Sequence, residues 1–127
     1  MKHLRAFCVA VTLVAACAGR ASAEEPRMVR LAKLVIDPVH LDAYNAALKE
    51  GIEAAMRLEP GVLVLYAVAE RDHPTHITLL EIYADQAAYQ AHLQTTHFLK
   101  YKTATAAMVT SLELVDVVPL LPGLKIK

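Results

Sequence analysis

Between Glu81 and Tyr101 the chain reads EIYADQAAYQAHLQTTHFLKY, and five of its residues are of types that move protons or hold charge. Glu81 lies inside an apolar run, Asp85 stands where a helix would start, and His92 and His97 flank Thr95-Thr96, with Lys100 the fifth such residue. Imidazole is the one unperturbed side chain that exchanges protons near neutral pH, so His97 is a candidate general base or hydrogen-bond donor to a substrate. A structural reading stands beside it, in which His97 satisfies backbone or solvent at a helix start. His92 is read first as structural and second as a substrate-binding group. On an unbroken helix two rings five residues apart diverge, whereas a break at Thr95-Thr96 could turn both toward one cavity. A carboxylate among apolar neighbours is costly unless paired, so Glu81 requires a partner such as a histidine or an arginine. That pairing would be either a structural bond or a means of orienting a base.

Tyr66, Tyr83 and Tyr101 could line a cavity between sheet and helices, each offering an apolar body and a hydroxyl suited to a phenolic ligand. Tyr44, Tyr89 and Phe98 fall at helical offsets and read as packing. His73 and His76 sit on either side of Pro74-Thr75, but two histidines without a clear third ligand make no metal site, and none is expected. From Glu24 onward the glycines are Gly51, Gly61 and Gly123, with no glycine-rich phosphate loop, so no flavin, nicotinamide or nucleotide cofactor is expected.

Those groups need elements to place them. Met28 to Ile36 is rich in β-branched and aliphatic residues and predicts a first strand. Asp37-Pro38 predicts a helix start, since Asp can accept from a free backbone N–H and proline at the first helical position loses no hydrogen bond. Leu41, Tyr44, Leu48, Ile52 and Met56 form one apolar stripe, leaving Lys49, Glu50, Glu53 and Arg57 to solvent, and Pro60-Gly61 ends the helix. Val62 to Ala69 and His76 to Tyr83 predict paired strands joined through the polar loop Glu70 to Pro74. On the latter strand Glu81 shares a face with Ile77, Leu79 and Tyr83. Asp85 is expected to cap a short helix through Leu93, Thr96 to recap a second from His97 to about Ser111, and Leu112 to Val118 to form the last strand.

The order βαββαβ is that of a ferredoxin-like α+β fold, an antiparallel sheet with helices on one face. Val62 to Val68 is apolar on both alternations, so the sheet face away from the helices also needs cover. Too little chain remains for a second layer, and the expected solution is a homodimer packed sheet to sheet.

The first residues read as a targeting segment. Lys2 and Arg5 precede an apolar run from Ala6 to Ala18, and Ala21-Ser22-Ala23 is a small-x-small cleavage site. Residues 1–23 are therefore expected to be a signal peptide, too short to span a bilayer, leaving a single domain over residues 24–127 and a periplasmic or secreted protein. The alternative is a lipoprotein anchored at Cys17, because Val14-Ala15-Ala16-Cys17 looks like a relaxed lipobox. Both cysteines, Cys8 and Cys17, precede the cleavage site, which excludes disulfides, thiolate metal sites and cysteine nucleophiles from the soluble mature form. From Glu24 onward there are 10 Lys and Arg against 13 Asp and Glu, a formal charge of −3. No basic cluster is present, so nucleic acid is not an expected partner.

Taken together these residues resemble the antibiotic-biosynthesis-monooxygenase (ABM) family, in particular its small quinol-monooxygenase-like members. Glu59-Pro60-Gly61-Val62-Leu63 leads into the second strand, Glu81-Ile82-Tyr83-Ala84-Asp85 closes the third, and Ala91-His92-Leu93 runs on to Thr96-His97-Phe98. The likeness extends from about Met28 to Val118. It implies a homodimer of the dimeric α/β-barrel type that oxidises a small phenolic or quinol substrate with O2, without metal or flavin. On that reading His97 is the base, Glu81 orients it or an adjacent group, and His92, Tyr66, Tyr83 and Tyr101 contact substrate. Haem-degrading relatives on the same fold typically carry a tryptophan and an asparagine beside the haem ligand. Here there is no tryptophan, and Asn45 in the first helix is the only asparagine. An isomerase of a small hydroxyketone and a non-catalytic dimeric ligand-binding module fit the same fold.

Overall fold

A computed structural model of the protein describes residues 26–123. The expected signal peptide, its cleavage after Ala23 and the alternative anchor at Cys17 lie outside the described residues. The strands are β1 (Met28–Ile36), β2 (Val62–Ala69), β3 (His76–Tyr83) and β4 (Val109–Asp116). The α-helices are α1 (Leu41–Leu58), α2 (Gln86–His92) and α3 (Thr96–Thr105). The sheet order is β2-β3-β1-β4 with every neighbouring pair antiparallel, which is the ferredoxin-like arrangement.

Strand parity decides what faces the helices. Ala32, Leu34 and Ile36 are buried on one alternation of β1, and their register partners Leu79 and Ile77 are buried on β3. The same alternation carries Arg30 directly opposite Glu81. Two charged residues thus occupy inward positions at one end of an otherwise apolar face.

Asp37 begins the helical segment as its sequence suggests, accepting from the Val39 N–H at 3.1 Å, and a single 3-10 turn over Pro38–His40 precedes α1. Tyr44 and Leu48 pack with Ala32, Leu34, Ile36, Ile77 and Leu79 into the main core. The expected stripe drifts at its end: Met56 is 46% exposed and Ala55 is buried instead, against Val62 and Tyr83. The last turn thus packs against β2 and β3 through Ala55, which is fully buried.

The second half departs from expectation at one boundary. The helix expected to run to about Ser111 ends at Thr105, and β4 begins at Val109 rather than Leu112. Thr105 closes the helix, its hydroxyl donating back to the Tyr101 carbonyl at 2.8 Å while its own carbonyl accepts from Met108 N–H at 2.9 Å. Chain direction reverses there, and β4 pairs with β1 from Ile36↔Val109 onward.

The opposite sheet face carries Val29, Leu31, Val64, Tyr66, Val68, Leu80, Ile82 and Val115. Among the described residues no helix lies on it, and Tyr66 and Val68 are 66% and 50% exposed.

Candidate active site

A cleft opens between the helices and the inward face of the sheet, about 770 Å³ with its mouth included. Most of its wall is apolar, from Leu34, Leu48, Ile52, Leu65, Leu79, Leu93, Phe98, Leu112 and Leu114. Its polar lining includes Arg30, Glu81, Tyr83, Tyr89 and His92, which form one contiguous cluster. Arg30 donates to Asp116 at 2.8 Å and to the Tyr89 hydroxyl at 2.5 Å, with its guanidinium carbon 4.6 Å from the Tyr89 ring centroid. Tyr83 stands between Tyr89 and His92, with ring centroids at 5.3 and 5.5 Å, and its hydroxyl is 3.4 Å from a Glu81 carboxylate oxygen.

Burial pushes the Glu81 carboxyl above its ordinary range, opposed by the nearby His92, Arg30 and Tyr83. Burial likewise raises the Tyr83 phenol, and the Glu81 charge beside it adds to that. Burial works against the Arg30 charge, but its bonds to Asp116 and Tyr89 outweigh that and hold the guanidinium above its usual value. One end of an apolar cleft therefore holds a fixed cation, a carboxyl inclined to keep its proton, and an imidazole.

His92 owes its place to α2. Asp85 caps that helix by accepting from Ala88 N–H at 2.7 Å, and the chain passes Leu93 and Gln94 to Thr95, which caps α3 by accepting from Phe98 N–H at 3.2 Å. Thr95, rather than Thr96, is the cap, and its hydroxyl also donates to the His92 carbonyl at 2.8 Å. This corner turns both histidines onto one acceptor. His92 Nδ1 lies 2.8 Å and His97 Nε2 2.6 Å from the same Glu59 oxygen, Oε2. All three side chains are mostly buried, at 9%, 16% and 12% exposure for His92, His97 and Glu59.

Among the described residues, the same three groups are the donor set that could hold a metal, with one ligand atom each inside 4.8 Å of the others. A tetrahedral zinc with bonds near 2.0–2.1 Å spaces its ligand atoms roughly 3.4 Å apart. At 2.6 and 2.8 Å the spacing is that of charge-assisted hydrogen bonds, so shared protons join these groups as they stand.

Of the residues singled out from the sequence, the structure brings His92, Glu81, Tyr83 and Tyr101 to the cleft. His97 joins His92 through Glu59, but lines a smaller groove between α1 and α3 with Gly51, Lys100 and Tyr101. Its carboxylate partner is Glu59, not Glu81. The Tyr101 hydroxyl is engaged with that of Tyr44 at 2.7 Å. Tyr66 is a correction: it pairs with Leu80 on the outward alternation, and a register shift between Val62 and Val64 hands the inward position to Leu65. Glu59, Arg30 and Tyr89 are the site groups that sequence reasoning missed. Two signals were available. An acidic residue at a helix C-terminus opposes the helix dipole, and Arg30 sits on the inward alternation of β1.

With this geometry in place, the comparisons fall into a consistent set. The family model described as "Antibiotic biosynthesis monooxygenase" matches residues 27–104, from just before β1 to the end of α3. The crystal structure of a proposed antibiotic biosynthesis monooxygenase from Bacteroides thetaiotaomicron superposes with a TM-score of 0.79 at 63% identity, covering 80% of this chain and 97% of that one. A proposed monooxygenase from Lactobacillus acidophilus gives 0.72 at 27% identity, over 76% of this chain and 46% of that one. A proposed antibiotic biosynthesis monooxygenase from Nitrosomonas europaea gives 0.71 at 23% identity over 77% and 94%, a likeness of fold alone. No curated protein matches significantly.

Proposed function

Because the chain belongs to the antibiotic biosynthesis monooxygenase family, we propose that it oxidises a small phenolic or quinol-type substrate with O2, without a metal or flavin. The observation that carries this reading is the placing of His92 and Glu81 at the polar end of an otherwise apolar cleft. Loss of a substrate proton leaves a phenolate or enolate, which is electron-rich enough to reduce O2 directly. One oxygen atom enters the product, and the other leaves as water with the two hydrogens the substrate gives up. The protein supplies a base, a dry wall and a counter-charge, and Arg30, held by Asp116 and Tyr89, faces the anion that forms. Glu81, opposite Arg30 and 3.4 Å from the Tyr83 hydroxyl, orients the groups that meet the substrate oxygen.

Two further features belong to this proposal. The outward sheet face has an apolar patch of Leu31, Val64, Tyr66, Leu80, Ile82 and Val115, bordered by Lys33, Thr78 and Glu113, and a second copy packed sheet to sheet covers it, giving a homodimer. The basic, apolar and small-residue order of residues 1–23 supports export, with a soluble mature protein starting at Glu24 or a lipoprotein starting at Cys17.

The test is oxygen uptake by the purified protein across a panel of quinols and hydroxyketones with a chelator present, alongside product spectra. Uptake with a matching oxygenated product is expected. Product without uptake assigns an isomerase, and no product with any compound assigns a binding role.

A further inference from the structure

We infer that Glu59 is a positioning residue that selects His92, rather than His97, as the proton acceptor of the cleft, by fixing which nitrogen of each ring carries hydrogen. This rests on the reading of the cleft as a proton-abstracting site. An ionised carboxylate can only accept, so each ring nitrogen that meets Glu59 Oε2 must bear a proton: Nδ1 of His92 and Nε2 of His97. In a neutral imidazole the other nitrogen is then bare. For His92 that is Nε2. Glu59 does not line the cleft but His92 does, so the ring edge turned away from Glu59 is the edge that meets substrate. For His97 the nitrogen nearest the cluster is already committed, and its ring borders the groove between α1 and α3.

Glu59 and His92 are both held in place by their surroundings. Both backbone groups of Glu59 are bonded, its N–H to the Ala55 carbonyl at 2.9 Å and its carbonyl to Val62 N–H at 3.1 Å. The Thr95 hydroxyl ties the His92 carbonyl to the start of α3. Phe98 covers the His92 ring at 4.9 Å between centroids. A carboxylate is disfavoured at the C-terminus of a helix such as α1, and the two imidazole N–H groups offset that. His97 thus serves as the second anchor of Glu59. In the proton transfer, a substrate O–H or acidic C–H bond breaks, its proton bonds to His92 Nε2, and the electron pair stays on the substrate. The imidazolium that results still donates Nδ1–H to the Glu59 carboxylate.

Nitrogen-15 NMR of the histidine rings in the full wild-type protein at neutral pH reads the tautomers without any substrate. The expected result is Nδ1–H with bare Nε2 for His92, and Nε2–H for His97. A His92 ring protonated at Nε2 and bare at Nδ1 overturns the inference. On a substrate that the panel turns over, His92→Gln should lower kcat roughly a hundred- to ten-thousand-fold. His97→Gln, which retains an N–H for Glu59, should lower it less than tenfold. Glu59→Gln should shift His92 toward the Nε2–H form and lower kcat at least tenfold with KM near wild type. Equal losses in His97→Gln and His92→Gln, or an unchanged His92 tautomer in Glu59→Gln, also overturn it. A wild type that turns over nothing in the panel counts against the monooxygenase reading, and the tautomers are then read from the spectra alone.

Discussion

Gly61 and Ala88 approach so closely that a Cβ on Gly61 would stand 2.6 Å from the Cβ of Ala88. The contact seats the first turn of α2 on the turn that follows α1, and the Gly61 carbonyl accepts from Ala84 N–H at 2.8 Å, so the turn cannot easily back away. Gly61→Ala should destabilise the protein by about 1 to 3 kcal/mol, the usual cost of overpacking. It should also move α2, which carries His92. Thermal melts of Gly61→Ala and of the double variant Gly61→Ala/Ala88→Gly test this: the second change should recover most of the loss. A single variant that melts like wild type would mean the approach is not a constraint.

Glu81 sets a dependence of stability on pH. Its carboxyl is raised in the folded protein by burial, so below its unfolded value it is protonated in both states and carries no penalty. As pH rises through its folded value, the native protein must charge a buried group that the unfolded chain charges freely, and stability falls. Glu81→Gln removes that fall. The melting temperature of Glu81→Gln relative to wild type should therefore climb between pH 4.5 and pH 8, and a gap that stays constant across that range refutes the assignment.

Two leucines of the cleft wall should behave differently. Leu79 is 6% exposed within the main core, and Leu79→Ala should cost about 2 to 5 kcal/mol. Leu114 is 51% exposed on the same face, and Leu114→Ala should cost less than about 1 kcal/mol while still changing KM. Chemical denaturation of both variants separates the two contributions.

The proposed dimer places its interface on the outward sheet face. Light scattering of the wild type should report twice the mature chain mass at micromolar concentration. Ile82→Asp, on that face and away from the cleft, should report a single chain. A wild type that runs as a folded monomer removes the dimer from the proposal.

The first three strands were legible from their runs of β-branched and aliphatic residues and the first helix from its apolar stripe, and in β3 Ile77, Leu79 and Tyr83 are all buried on one alternation. The start of β4 was not. Thr103 to Met108 contains neither glycine nor proline and has a composition compatible with helix, and the signal that ends α3 is a side chain bonding back to its own helix. His92 and His97 stood out by type, and the break between them was visible in Thr95-Thr96. Their shared acceptor was not, since Glu59 lies 33 and 38 residues away and reads locally as the end of a helix before Pro60-Gly61. Tyr66 was misplaced for a different reason: β2 is apolar on both alternations, so its sequence did not say which one faces inward, and the register shift between Val62 and Val64 puts Leu65 there.

Leu112 and Leu114 face the cleft from β4, half exposed and on an edge strand, beyond residue 104 where the match to the family ends. They are wall without being core, so the shape of this flank is set by side chains that little else in the protein depends on. Replacements at those two positions alter the outline presented to a ligand without opening a hole in the interior. The cavity's outline at this edge is thus adjustable at little cost to the fold, whereas its floor at Leu79 is not.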